Sequence, residues 1–136
     1  MNKTEKIINN YTFRKHDGFW LANLKFNHIE SSIEIFKETL DEGLLNKIIS
    51  ELEGKVVKLD KEGCHLLNVL SESFWGHDKN NIFVFSGFMI DSITENMFID
   101  FRLCYHCGGE DNFSDYANWF IDVKDFRIVG CSRKQL

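Results

Sequence analysis

One nine-residue stretch, 82–90 (IFVFSGFMI), constrains the fold more than any other part of the chain. Successive side chains of a strand point to opposite faces, and here apolar residues occupy both faces. Ile82, Val84, Phe88 and Ile90 are expected on one face, with Phe83, Phe85 and Met89 on the other. A strand of this kind is typical of the centre of a covered sheet. The second face is therefore expected to meet helices, a second layer or a partner.

Shorter segments before and after it alternate between apolar and polar residues, which predicts strands with one buried face. They are 11–14, 19–26, 32–37, 97–107, 118–123 and 126–129. Asp17-Gly18 is a typical two-residue hairpin turn, and Lys124-Asp125 is expected at the last turn. In 97–107, the residues Met97, Ile99, Phe101, Leu103 and Tyr105 are expected to face inward, and Asp100, Arg102 and His106 outward.

The middle of the chain has helical spacing instead. Thr39 and Glu42 form a capping-box pattern, and apolar residues then recur every three or four positions up to Leu52. Gly54 is interpreted as the end of this helix, and a second helix is expected over 64–75, close after Gly63. The order strands, helices, strands predicts an α+β fold: an antiparallel sheet of about six strands with a helix pair on one face.

Length and charge narrow the functional classes. The 136 residues fit one domain, 1–136, and 43% of them are hydrophobic, as in globular proteins. A formal net charge of −5 disfavours nucleic-acid binding and favours a basic partner. We find no apolar run of the ~20 residues that a membrane span needs, and the first residues lack the apolar region of a signal peptide. A cytoplasmic protein with reduced cysteines is expected.

The segment 103–109 (LCYHCGG) allows three interpretations. Cys104 and Cys107 have the spacing of half a zinc site, with His106 between them. A structural zinc site normally needs a second pair, which Cys64 and Cys131 do not supply. A redox pair belongs at a helix N-terminus, and an acidic loop follows here instead. Ordinary free thiols are therefore favoured.

Catalytic and cofactor motifs are missing: there is no P-loop, GxGxxG, GxSxG or HExxH pattern. His77 beside Asp78 is interpreted as a solvated loop histidine. No cofactor and no metal are predicted, and no residue is predicted to be catalytic.

The segment 108–120 (GGEDNFSDYANWF) combines carboxylates with large aromatic residues. Such a surface suits a basic protein, because charge steers the encounter and aromatic rings anchor it. The candidate partner-binding residues are Glu110, Asp111, Asp115 and Tyr116. The alternative is a hairpin loop whose Tyr116 and Trp119 turn into the core.

The layout of the chain resembles a known class of small acidic proteins. The chain begins with strands around Trp20 and continues with helices that end near NVLSESFW. A sheet containing GFMIDSITENMFIDFRLCYH follows, and the chain closes with WFIDVKDFRIVGCSRK. This layout is similar to that of the immunity proteins of bacterial polymorphic toxins. These include the proteins of contact-dependent growth inhibition systems. The resemblance implies a cytoplasmic protein that binds one cognate toxin domain, often a basic nuclease, and blocks its active site. It implies no catalytic residues.

Two other readings stay open. The first is a small enzyme or metal-binding domain that uses Cys104, His106 and Cys107. The second is a homodimeric module in which strand 82–90 supplies a shared sheet face.

Overall fold

The computed structural model describes residues 4–26, 29–74, 82–108 and 117–135. The elements are β1 (Glu5–Ile8), β2 (Tyr11–His16), β3 (Phe19–Phe26), β4 (Ile29–Ile35), α1 (Glu42–Phe74), β5 (Ile82–Ile90), α2 (Ser92–Asn96), β6 (Phe101–Gly108), β7 (Ala117–Lys124) and β8 (Arg127–Gln135).

The described strands form one eight-stranded sheet in sequence order, β1 to β8. Neighbouring strands are antiparallel except β4 and β5, which run parallel with α1 between them in the chain. Parallel neighbours need such a crossover, whereas the other strands are joined as successive hairpins or short connections. The predicted α+β class with a helical layer is confirmed, but the sheet has eight strands rather than about six.

The predicted helix pair is wrong, because α1 is a single helix of 33 residues. Gly54 and Gly63 lie inside it instead of marking its ends. A Cβ at Gly63 would lie 3.0 Å from the Tyr105 hydroxyl oxygen and 3.3 Å from Ile121 Cγ1. Gly63 is thus a point of close approach between helix and sheet, and the packing offsets the low helix propensity of glycine.

The helix also begins later than the capping-box pattern predicts. The Asp41 carboxylate accepts a hydrogen bond from the backbone N–H of Leu44 at 3.1 Å, and the Asp41 carbonyl accepts one from Leu45 at 3.0 Å. Asp41 therefore caps α1, and the prediction of Thr39 as the cap is wrong. Asp is at least as good an N-cap as Thr, so Asp41 caps the helix although Leu44, three residues later, gives it no capping box.

The hairpin turns explain a strand that sequence reasoning missed. Asp17-Gly18 joins β2 and β3 as predicted. Asn9 and Asn10 have φ of 52° and 65°, the left-handed pair of a tight hairpin turn, and so β1 pairs with β2. The last turn is centred on Asp125 and Phe126, one residue beyond the prediction.

The sheet curls around α1, so that both of its ends reach the helix. Asn9, in the first turn, donates a hydrogen bond from Nδ2 to Ser50 Oγ at 2.8 Å. Phe126, in the last turn, lies 4.6 Å below the Lys55 ammonium. We call the side of the sheet that faces α1 the helix face and the opposite side the open face.

Strand β5 contains a bulge that changes the predicted faces. The pairing with β6 shifts between Phe85 and Gly87. As a result Phe85 and Phe88 both lie on the helix face, where their rings are 5.1 Å apart. Among the β5 side chains that the structure describes, Val84 and Met89 are the apolar ones on the open face, whereas Phe85 has moved to the helix face.

The strand predicted over 97–107 starts only at Phe101, because the chain first forms α2. Phe101, Leu103 and Tyr105 are buried on the helix face, as predicted. The inward placement of Met97 is wrong, since it is exposed beyond the end of α2.

Candidate functional site

A groove of about 640 Å³ opens on the open face beside α2. Its floor comes from β5, β6 and β7, its sides from β8, α2 and the residue that follows β4. Its lining residues are Phe36, Met89, Asp91, Ser92, Ile93, Arg102, Asn118, Phe120, Ser132 and Lys134. Grooves of this size with apolar walls and a few polar groups are typical of binding sites.

Arg102 lies at the centre of the groove and is 5% exposed. Its Nε donates a hydrogen bond to Asp122 Oδ1 at 3.2 Å, and its Nη2 donates to Ser132 Oγ at 2.7 Å. A carboxylate oxygen of Asp91 lies 3.7 Å from Nη1. A buried guanidinium requires partners of this kind, because its desolvation is otherwise too costly. We call Arg102, Asp91 and Asp122 the arginine cluster.

The register of the sheet assembles this cluster. Arg102 on β6 lies directly opposite Asp122 on β7, and Asp122 lies opposite Gly130 on β8. A Cβ at position 130 would come within 3.0 Å of Asp122 Oδ2, so glycine leaves room for the carboxylate. Phe120 completes the site, with its ring centre 3.9 Å from the guanidinium carbon, within the range of a cation–π contact.

Sequence reasoning missed this cluster. Arg102 is on the predicted face, away from Leu103, but it is buried there rather than facing solvent. The sequence contains one signal for the cluster. If the strands 97–107 and 118–123 pair as a hairpin, one register places Arg102 opposite Asp122.

The thiols of Cys64 and Cys104 are poor nucleophiles in the folded protein. Burial raises the pKa of each to about 12. For Cys64 the neighbouring Asp60 adds to this effect, and Asp60 also accepts a hydrogen bond from Tyr105 at 2.8 Å. Metal binding and thiol catalysis both use the thiolate, so this environment favours the free-thiol interpretation of these two cysteines.

The backbone around Cys104 argues against a zinc knuckle. Strand β6 runs without a bend through Gly108, and Cys107 is paired with Phe83 of β5. His106 is exposed. Within the four described ranges, no three side chains of the His, Cys, Asp and Glu types are grouped as metal ligands would be.

The predicted partner-binding residues Glu110, Asp111, Asp115 and Tyr116 lie outside the described residues, as do His77 and Asp78. Trp119 is described and is 1% exposed on the helix face. Its ring centre lies 5.2 Å from that of Phe83. The alternative that Trp119 turns into the core is therefore confirmed.

Comparison with known proteins gave no match, whether to a family profile, a curated protein or a solved structure. Neither helix in the described part of the chain combines the length and apolar character that crossing a membrane requires. The function is therefore inferred from the residues and their geometry.

Proposed function

We propose that this chain is a non-catalytic binding protein of the immunity type, which binds and neutralises a basic toxin domain such as a nuclease. The observation that carries the proposal is the open face of the sheet. It presents a groove whose lining includes the apolar side chains of Phe36, Met89, Ile93 and Phe120, and of these Phe36 and Ile93 are exposed. Apolar side chains grouped around a groove and rimmed by polar residues are typical of interaction surfaces.

Aromatic packing extends this surface beyond the groove. The ring of Phe19 stacks on that of Phe36 at 5.3 Å and on that of His16 at 5.1 Å. Phe36 belongs to both the ring stack and the groove wall. Rigid rings give large contact area at low entropic cost, which favours binding of a protein surface.

Charge sets the class of partner. The eight residues 109–116 hold three carboxylates and no lysine or arginine, in a chain with a net charge of −5. The strands on either side, β6 and β7, are two of the three strands that form the groove floor. We propose that Glu110, Asp111 and Asp115 pair with lysine or arginine side chains of the toxin, with Tyr116 beside them. Charge-assisted pairs contribute ~1.5–3 kcal/mol each when well formed.

The mechanism is stoichiometric occlusion in the cytoplasm. The immunity protein covers the basic surface with which the toxin binds its substrate, so that substrate and inhibitor compete for the same cations. No bond is made or broken. Long-range attraction between opposite charges speeds the encounter.

Co-expression tests the proposal directly. The test first searches the reading frames next to this gene for a toxin-like protein with a basic C-terminal domain. That domain is then induced in a bacterial host with and without this chain. We expect growth arrest without it and full growth with it. A 1:1 complex of the two purified proteins should form, with an association rate that falls as salt rises.

The charge hypothesis needs a matched control. Reversal to lysine of Glu110, Asp111 and Asp115 should slow association and flatten its salt dependence. The same reversal of three exposed carboxylates elsewhere, Glu5, Glu53 and Glu62, changes the net charge equally and should have a much smaller effect. Unabated growth arrest in the presence of the wild-type chain would sink the proposal.

A homodimer formed through the open face would use the same surface. Sedimentation of the purified protein separates the two cases. We expect a monomer that shifts to a heterodimer when the toxin domain is added.

A further inference from the structure

Three apolar side chains at the border of the open face are left in solvent. Ile93, Met97 and Phe98 are 44%, 57% and 80% exposed. We call them the α2 patch, because Ile93 belongs to α2 and the other two follow it directly. Ile93 also lines the groove, so the patch continues the surface described above.

The patch is held in a defined conformation at both ends of α2. Asp91 Oδ1 accepts a hydrogen bond from the backbone N–H of Thr94 at 3.0 Å, while Thr94 Oγ1 accepts one from that of Asp91 at 2.8 Å. This reciprocal pair is a capping box. At the other end, the N–H of Met97 donates to the Ile93 carbonyl at 2.9 Å, which places the two side chains on the same side of the helix.

Phe98 occupies a position where glycine is normally found. Its N–H donates to the Glu95 carbonyl at 3.3 Å, and that of Ile99 donates to the Thr94 carbonyl at 3.0 Å. These two bonds form a Schellman motif, in which the residue at Phe98 must be left-handed, and its φ is +56°. A bulky residue in this region is strained. Burial does not offset the strain, since the ring is mostly in solvent.

The charge of this segment indicates the occupant. Residues 91–100 contain three carboxylates and no lysine or arginine. Asp91 lies 3.7 Å from Arg102, and Asp100 lies 3.9 Å from Lys124. Glu95 is exposed and takes part in no ion pair with any described residue. A carboxylate with no ion-pair partner among the described residues, three positions before an exposed ring, favours a partner that offers a cation near an apolar pocket.

We infer that the α2 patch is a contact surface for the basic toxin domain, with Phe98 as its anchor and Glu95 as its ion-pairing residue. This inference rests on the proposed function and assigns it a site on the described part of the chain. The ring of Phe98 enters an apolar pocket of the partner. The Glu95 carboxylate meets a lysine or arginine at the rim of that pocket.

The variant Phe98→Gly separates binding from folding. Glycine removes the strain at the left-handed position, so the Tm should rise by about 2–4 °C. Loss of the anchor should weaken binding by about 30-fold or more. The probe is the toxin domain identified by the search of neighbouring reading frames, with its active site inactivated. Binding is measured by calorimetry. Val69→Ala, at an exposed apolar residue of α1, is the control and should leave affinity unchanged.

Glu95→Lys tests the charge. Its association rate should fall several-fold at low salt, and the difference from the wild type should shrink as salt rises.

Each outcome decides a distinct question. If the wild-type chain neither binds nor neutralises the toxin domain, the proposed function fails and the inference falls with it. If the wild type binds and Phe98→Gly binds equally well, the patch assignment is wrong while the function stands. A lower Tm for Phe98→Gly would show that the ring serves the fold.

Discussion

The two faces of the sheet are built from the same strands but follow different physical rules. In β6, Leu103 points to the helix face and is completely buried among apolar side chains. Its neighbour Arg102 points to the open face and is 5% exposed, with Asp122 and Ser132 as partners. On folding, Leu103 thus exchanges water for apolar neighbours, whereas the adjacent Arg102 exchanges water for charged and polar partners.

This difference indicates that the helix face stabilises the fold, whereas the open face fixes the position of elements at the surface. Burying apolar area contributes about 25 cal/mol per Å², so the helix face supplies most of the stability. A buried ion cluster adds little net stability compared with apolar side chains of the same volume. The arginine cluster does, however, fix a position: Asp91 caps α2 and also lies beside Arg102. The contacts of the arginine cluster on the open face therefore fix the position of α2 and of the α2 patch.

Removing a large ring from the helix face should have the greatest effect. Phe88→Ala leaves a cavity between Phe26, Phe85 and Phe101, whose ring centres lie within 6.2 Å of that of Phe88. We expect the free energy of unfolding to fall by about 3–5 kcal/mol. Urea denaturation followed by circular dichroism measures the loss.

The control for this comparison is on the same strand. Val84 is exposed on the open face, and Val84→Ala should cost less than about 1 kcal/mol. Equal losses for the two variants would contradict the division of stability between the faces.

Breaking the arginine cluster should have the next largest effect. Arg102→Ala leaves the buried carboxylate of Asp122 without its cation, and the expected loss is about 2–4 kcal/mol. The backbone amides of α2 should also exchange faster with solvent, since Asp91, which caps α2, loses its contact with Arg102. Hydrogen exchange at the amides of α2 detects this, and the same amides should be unaffected in Phe88→Ala once global unfolding is subtracted.

The double variant Arg102→Met/Asp122→Leu tests whether the cost comes from an unpaired charge. It should recover most of the stability that Arg102→Ala loses, because no buried charge is left without a partner. A double variant less stable than Arg102→Ala would show that the cluster itself stabilises the fold.

Much of the helix face could be predicted from the sequence, because alternation is a local property. The alternation of residues along the strand alone predicts that Phe101, Leu103 and Tyr105 face inward, and all three are buried. The division of α1 into two helices was wrong because the sequence pattern at Gly54 is typical of a helix end, and the second helix was expected close after Gly63. The role of Gly63 is set by Tyr105 and Ile121, which reach it only in the folded chain.

The open face was harder to predict, because its contacts depend on strand register and on a bulge. Alternation placed Arg102 outward but did not show that Asp122 and Ser132 would bury it. The α2 patch was missed for a related reason. Met97 was counted in a strand, whereas the capping box of Asp91 and Thr94 starts a helix before it.

The thiols provide a smaller and more local comparison of the two faces. Cys64 packs against the core of the helix face and Cys104 lies on the open face, yet burial raises the pKa of both to about 12. The folded protein keeps these thiol protons to higher pH than the unfolded chain. Their contribution to stability is therefore complete below about pH 9 and is lost as the pH rises toward 12.

Alkylation by iodoacetamide at pH 8 measures this difference, with the modified peptides quantified by mass spectrometry. We expect Cys64 and Cys104 to react about a thousandfold more slowly in the native protein than in urea, in line with their thiolate fractions. Native Cys104 reacting as fast as in urea would reopen the hypothesis of a reactive or metal-binding thiol.

The smallest effect should come from two glycines in the same helix. At Gly54 a methyl group meets no atom within 4 Å, whereas at Gly63 it meets the Tyr105 hydroxyl at 3.0 Å. Gly54→Ala should raise the free energy of unfolding by about 0.5–1 kcal/mol through helix propensity. Gly63→Ala gains the same propensity but must displace a buried ring that is hydrogen-bonded to Asp60, so we expect a net loss of about 1 kcal/mol. Thermal melts of the two variants provide the measurement. If both glycines gave the same stabilisation, Gly63 would not be the point of close contact between helix and sheet, and the helix face would be looser there than its geometry indicates.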